Sequence, residues 1–116
     1  GGGGAVVLLA AQNLKIKSIL TIAANLDIDA FSNYHGALKM AGSLNPIDYT
    51  SQVAHIPQLH IAGGKDTIVP AFIVKSFVQK IATPCAHYLV LPNVSHNQGW
   101  QDHWANIINT PFCCKK

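Results

Sequence analysis

The apolar residues of this chain fall into short β-rich runs and longer runs with helical spacing. Two short aliphatic runs, at 18–24 and 86–92, predict strands. A third stretch, 57–66, predicts a strand followed by a turn, because Gly63-Gly64 allow the backbone to turn tightly at its carboxyl end. Longer runs predict helices over 5–14, 30–40, 69–82 and 99–109.

The helical runs also predict which side chains enter the core. Pro70 suits a helix start, and the apolar residues after it lie on one face: Phe72, Ile73, Phe77, Val78 and Ile81. Trp100 and Trp104 are four residues apart in the last helix, so we expect both to pack in the core. Leu59 and Ile61 lie on one side of the second strand.

The order of these elements determines the fold class. Strands that alternate with helices predict crossover connections and a parallel sheet, hence an α/β fold with three layers. Three strands are few for such a sheet, and a helix precedes the first strand. We therefore expect residues 1–116 to form the carboxyl-terminal part of a single domain, with residues 25–56 as a small lid-like excursion.

Composition narrows the classes of function. The 116 residues are 49% hydrophobic and carry eight Lys against five Asp, a net charge of +3. The lysines form no stripe, so we expect no nucleic-acid partner. No apolar run reaches the roughly 20 residues that a membrane span needs. Compartment stays open, because a chain that starts with Gly has lost its native start.

The cysteines Cys85, Cys113 and Cys114 have no metal-ligand spacing. We expect free thiols; a bridge from Cys85 to one of the terminal pair is the alternative if the protein is exported.

Candidate catalytic residues follow the predicted strands. Functional groups collect at the carboxyl ends of parallel strands, where Asp27, Asp66 and His96 stand in this sequence. A glycine run, residues 1–4, precedes the first helix. An acid followed by a histidine on adjacent strands fits the chain order Ser, Asp, His, with the serine on a glycine-rich turn. His96 would then be the general base and Asp66 would orient it.

Three stretches resemble the α/β-hydrolase superfamily. GGGGAVVLLAA, IPQLHIAGGKDTIVP and VLPNVSH are similar to the nucleophile elbow, the loop that carries the acid and the loop that carries the histidine. They resemble most the small bacterial serine hydrolases whose elbow reads Gly-x-Ser-Gly-Gly-Gly-Ala. The resemblance covers nearly the whole chain, and Asp66 with His96 is its most specific part.

The resemblance implies a serine hydrolase for ester-like or other acyl substrates, without cofactor or metal. It also implies that the nucleophile is missing, since Gly1 either takes the position of the serine or directly follows it. The chain alone is therefore expected to be inactive and to need the amino-terminal half of the same protein as its partner. The amide of Gly2, or that of Gly1 if the serine directly precedes it, would contribute to the oxyanion hole. Candidate substrate-pocket residues are Asn25, Asp27 and Trp100.

Other interpretations remain open. A non-enzymatic interaction module of the same fold would hold the Asp66 and His96 side chains beyond hydrogen-bond reach of each other. The glycine run could be a linker, or a phosphate loop of a dinucleotide-binding fragment with Asp27 some 25 residues on, although G-x-G-x-x-G is not met. Asp66 could be a turn or capping residue, and Asp27 is the alternative acid or a helix cap.

The remaining histidines are expected to be mostly structural, with His60 and His87 covered inside strands. The resemblance makes Tyr34 and His35 candidate substrate neighbours, with an ordinary helix role as the alternative.

Overall fold

A computed structural model describes residues 2–12, 15–37 and 44–114, and its centre is a three-stranded parallel sheet in the order β1-β2-β3. The strands are β1 (Ile19–Ile22), β2 (Gln58–Gly63) and β3 (Ala86–Leu91). The α-helices are α1 (Gly2–Gln12), α2 (Ile28–His35), α3 (Thr50–Val53), α4 (Ala71–Ile81) and α5 (Trp104–Asn109), with 3-10 turns at Pro46–Tyr49 and Trp100–Asp102.

The sheet is covered on both faces, as a parallel sheet requires. Every residue of the central strand β2 is buried, and its side chains alternate between the two layers. One face packs against α1, α3 and α4 through a core that includes Val7, Val53 and Phe77. The other face packs Leu59 and Ile61 against α5 and the carboxyl-terminal segment. The predicted three-layer α/β architecture is confirmed.

Several predicted boundaries change. The first helix begins at Gly2 rather than at residue 5, so the described glycines of the run are helical and do not form a turn. The second predicted helix starts earlier, at Ile28, and ends after His35, because Gly36 adopts the left-handed conformation that closes a helix (φ 65°). The end predicted near Gly42 lies outside the described residues. The last predicted helix is a 3-10 turn followed by α5.

Two expectations about the core are wrong. Trp104 is 42% exposed and Phe72 is 45% exposed. On α4 the buried face consists of Ile73, Val74, Phe77 and Ile81, because Phe72 sits in the first turn beyond the edge of the sheet-facing stripe. Trp100 is buried, as expected.

The expectation of free thiols is also wrong for two of the three cysteines. Cys85 and Cys114 form a disulfide. Cys85 directly precedes β3, and the carboxyl-terminal segment runs back along that strand, where His87 Nε2 donates a hydrogen bond to the carbonyl of Cys113. The pairing follows from this path of the chain, which the spacing of the cysteines does not reveal.

A buried polar network crosses the α1 and α4 face of the sheet. Gln58 Nε2 donates to the carbonyls of Val53 and Ile56, which leaves its Oε1 to accept from His60 Nε2 at 2.8 Å. His60 Nδ1 therefore lacks a proton and accepts from the hydroxyl of Thr21 at 2.7 Å. Burial lowers the pKa of His60 from 6.5 to about 4. The network holds a neutral imidazole in one tautomer, a structural role consistent with the expectation for this histidine.

Candidate active site

The carboxyl ends of β2 and β3 carry a carboxylate and an imidazole in direct contact. His96 Nδ1 donates a hydrogen bond to Asp66 Oδ2 at 2.9 Å. The Asp66 side chain is fully buried, whereas that of His96 is 27% exposed. With Nδ1 carrying the proton, the neutral ring keeps the lone pair of Nε2 available to accept another proton. The pair can therefore act as an oriented general base.

The loop that carries Asp66, residues 64–69, is here called the acid loop. The backbone amides of Ile68 and Val69 both donate to Asp66 Oδ1 at 2.8 Å. Together with His96, three donors converge on the carboxylate, which suits its acceptor-only ionised form. Because Oδ1 is held by the backbone, Oδ2 has one defined direction, and that direction is towards His96.

The second loop, residues 92–99, is here called the histidine loop, and it packs directly against the end of β2. Gly64 N donates to Leu91 O and Lys65 N donates to Val94 O. A Cβ on Gly63 would lie 2.4 Å from the carbonyl oxygen of Val94, a separation that real atoms do not adopt. Glycine at this position therefore allows the two loops to approach, and this approach brings Asp66 to His96.

Trp100 fixes the far side of the histidine loop. Its indole Nε1 donates to the carbonyl of His96 at 3.0 Å, and its ring packs with Ile61 and Val94 in the α5-side core. The structure therefore joins three of the residues singled out from the sequence: Asp66, His96 and Trp100. The contact of Trp100 is with the backbone of His96, so Trp100 orients the loop.

Asn25 and Asp27 lie beyond the carboxyl end of β1. Asp27 caps helix α2, its Oδ1 accepting from the amide of Ala30 at 3.1 Å and from Asn45 Nδ2 at 3.4 Å. This contact gives Asp27 the capping role considered from the sequence, and the carboxylate that reaches His96 is that of Asp66. Asn25 differs, because its Oδ1 is buried with no hydrogen-bond partner in the described part of the chain.

The glycine run packs against the same segment. A Cβ on Gly3 would lie 2.3 Å from the Cβ of Ala24, so the first turn of α1 can cross the exit of β1 only with glycine there. Gly2 is the first residue of α1, and Gly1 lies outside the described residues. Close packing of this kind is not expected of a flexible linker.

Other features of the described residues do not add a second centre. Residues 2–12, 15–37 and 44–114 contain no group of three or more His, Cys, Asp or Glu arranged to hold a metal ion. Over the same residues, the helices are too short or too polar to cross a membrane. A cavity of about 420 Å³ lies between β3 and the carboxyl-terminal segment, lined by residues such as Leu89 and Phe112, and neither Asp66 nor His96 lines it.

The fold is similar to that of a solved esterase. The esterase Pf2001 of Pyrococcus furiosus superposes with a TM-score of 0.64 over 88% of this chain, at 17% sequence identity. The chain spans about half of that esterase, 47% of its length. No family model and no curated protein matches the chain. At this identity the likeness shows the fold alone, an α/β architecture with a parallel sheet.

One contact at the site was not predicted from the sequence. His35, considered there with Tyr34 as a candidate substrate neighbour or as an ordinary structural residue, donates through Nε2 to the carbonyl of Ile68 in the acid loop at 2.7 Å. The acceptor is a main-chain atom 33 residues away. No pattern of side chains in a sequence can indicate a contact of that kind.

Proposed function

We propose that this chain carries the acid and base of a serine hydrolase that cleaves an ester-like or other acyl bond. The observation that carries the proposal is the hydrogen bond between His96 Nδ1 and a fully buried Asp66. The likeness to an esterase fold supports it.

In the proposed reaction, His96 Nε2 takes the proton of a serine hydroxyl while the oxygen attacks the acyl carbon. His96 then returns that proton to the leaving group, and water repeats the cycle on the acyl-enzyme. Asp66 holds the ring and stabilises the imidazolium. The serine would stand at, or directly before, the position of Gly1, and the amide of Gly1 or Gly2 would donate to the oxyanion.

This proposal gives the chain a partner and a pocket. The partner is the amino-terminal half of the same hydrolase, and the substrate is a small acyl compound. Asn25 is a candidate pocket residue because its buried Oδ1 has an unused acceptor. Trp100 borders the histidine loop, and Asp27 supports the pocket indirectly by capping α2. The excursion 25–56 is short, so we expect short or exposed acyl groups.

A serine-directed fluorophosphonate probe tests the proposal. The parent polypeptide, containing the segment before the glycine run, is expected to be labelled at a serine next to that run. His96→Ala should abolish labelling, because the hydroxyl loses its base, while His55→Ala, a change at an exposed histidine, should retain it. The 116-residue chain alone should not be labelled.

Labelling of the parent that survives His96→Ala would overturn the proposal. Stabilisation of the chain by NAD in a thermal melt, with no labelling of the parent, would instead favour the dinucleotide-binding interpretation.

A further inference from the structure

Helix α2 contacts the acid loop through its last residue. His35 Nε2 lies 2.7 Å from the carbonyl oxygen of Ile68, and since a carbonyl only accepts, the imidazole donates. The ring is held between two aromatic neighbours, Phe31 with ring centroids 4.5 Å apart and Tyr34 at 4.9 Å. Tyr34 in turn contacts Phe72 at the start of α4, 5.9 Å between centroids. These ring contacts restrict the orientation of the His35 imidazole that donates to the acid loop.

Ile68 is the residue through which this contact reaches the site. Its amide donates to Asp66 Oδ1 at 2.8 Å, and its carbonyl accepts from His35. The backbone amide and the backbone carbonyl of Ile68 are thus both hydrogen-bonded, the amide to Asp66 and the carbonyl to His35 of helix α2. The carbonyl of Ile68 also shares its planar peptide with the amide of Val69, which donates to Asp66 Oδ1 at 2.8 Å. A rotation of that peptide would break this bond and loosen the hold on the carboxylate that directs Oδ2 at His96.

The opposite end of α2 is also anchored, so the helix can serve as a fixed support. Asn45, itself buried, accepts through Oδ1 from the amide of Ile28 at 2.9 Å, and Asp27 caps the first turn. Ser32 is the buried residue of α2. Because so little of α2 enters the core, its polar contacts at the two ends carry much of its attachment.

We propose that His35 is a positioning residue for the Asp66–His96 pair, holding the acid loop through the carbonyl of Ile68 so that Asp66 Oδ2 stays directed at His96. Its importance for catalysis rests on the function proposed above, whereas its effect on the pair does not. Through this hydrogen bond, helix α2 of the lid-like excursion is joined directly to the acid loop that carries Asp66.

The test compares two amides that differ by one methylene group. The amide of His35→Gln can reach the carbonyl of Ile68 in place of Nε2, and that of His35→Asn cannot. The position is exposed, so neither variant disturbs the core, and circular dichroism checks folding. The readout is the proton on His96 Nδ1, which resonates far downfield when bonded to a carboxylate; its loss in His96→Gln assigns it.

We expect this proton to exchange with water about fivefold faster in His35→Asn, the factor that one hydrogen bond of average net strength corresponds to. Exchange should be unchanged in His35→Gln and in the control His55→Asn. Equal exchange in every variant, or faster exchange in His35→Gln as well, would overturn the proposal.

Kinetics of the parent polypeptide separate this inference from the proposed function. A hydrolase whose kcat falls about fivefold in His35→Asn, with KM unchanged and kcat restored in His35→Gln, supports both. The expected exchange pattern in a parent without esterase activity supports the positioning role and refutes the function. An active parent with uniform exchange and kcat refutes the positioning role alone.

Discussion

Protonation of the buried His60 should make the stability of this chain depend steeply on pH. Burial lowers the folded-state pKa from 6.5 to about 4, because a charged ring would lose its hydration in the core, whereas the neutral ring donates to Gln58 and accepts from Thr21. Between pH 6.5 and 4 the unfolded chain binds a proton at this histidine and the folded chain does not. Stability is therefore fully present above pH 6.5, falls as the pH drops through this range, and levels off below about 4.

The magnitude follows from the pKa difference. One pKa unit corresponds to about 1.4 kcal/mol, so the complete loss is about 3 kcal/mol and the loss at pH 5 about 2 kcal/mol. Against a total stability of about 5–15 kcal/mol for a small domain, this loss is large enough to shift an unfolding midpoint clearly.

The assay is urea unfolding at pH 7, 6, 5 and 4.5, followed by the fluorescence of the buried Trp100. His60→Gln should be less stable at pH 7, because it disturbs the network. Its free energy of unfolding should also depend less on pH, because the contribution of His60 is removed. His55→Gln is the matched control, since that histidine is exposed, and it should retain the full slope. The slopes are compared between variants because the other titrating groups are common to all three. An equal slope in His60→Gln and the unmodified chain would refute the reasoning.

Two further predictions concern the fold around the site. Gly63→Ala should destabilise the chain by about 2 kcal/mol or more in urea unfolding, because the new Cβ would meet the carbonyl oxygen of Val94 at 2.4 Å; an unchanged midpoint would show that the loops can separate freely. Cys114→Ser should cost about 3–4 kcal/mol, the chain-entropy value for a loop of this length with Cys85, which lies 29 residues away. Cys113→Ser should change the free energy of unfolding by no more than about 0.5 kcal/mol. Equal effects of the two serine variants under non-reducing conditions would contradict the pairing.

The architecture of this protein could be derived from the sequence because it depends on local patterns. The strands β1, β2 and β3 lie within the stretches 18–24, 57–66 and 86–92 that the sequence predicts, and their alternation with helices implies a parallel sheet. That topology places the ends of neighbouring strands side by side, which is why Asp66 and His96 could be paired 30 residues apart. Phe72 and Trp104 were wrongly predicted to be buried. Periodicity shows which residues share one face of a helix, but it does not show how far the neighbouring layer extends to cover that face.

Only the tertiary structure decided two kinds of contact: those between segments that are distant in the chain, and those made by main-chain atoms. The path of the carboxyl-terminal segment along β3 selects Cys114 over Cys113 as the partner of Cys85. The register of β1 on β2 places Thr21 beside His60, so that its hydroxyl donates to Nδ1 of a buried imidazole whose tautomer Gln58 fixes. His35 reaches the acid loop through a carbonyl that every residue possesses, so its role depends on position alone. Local spacing can be derived from the sequence, whereas these contacts form only after packing has brought distant segments together.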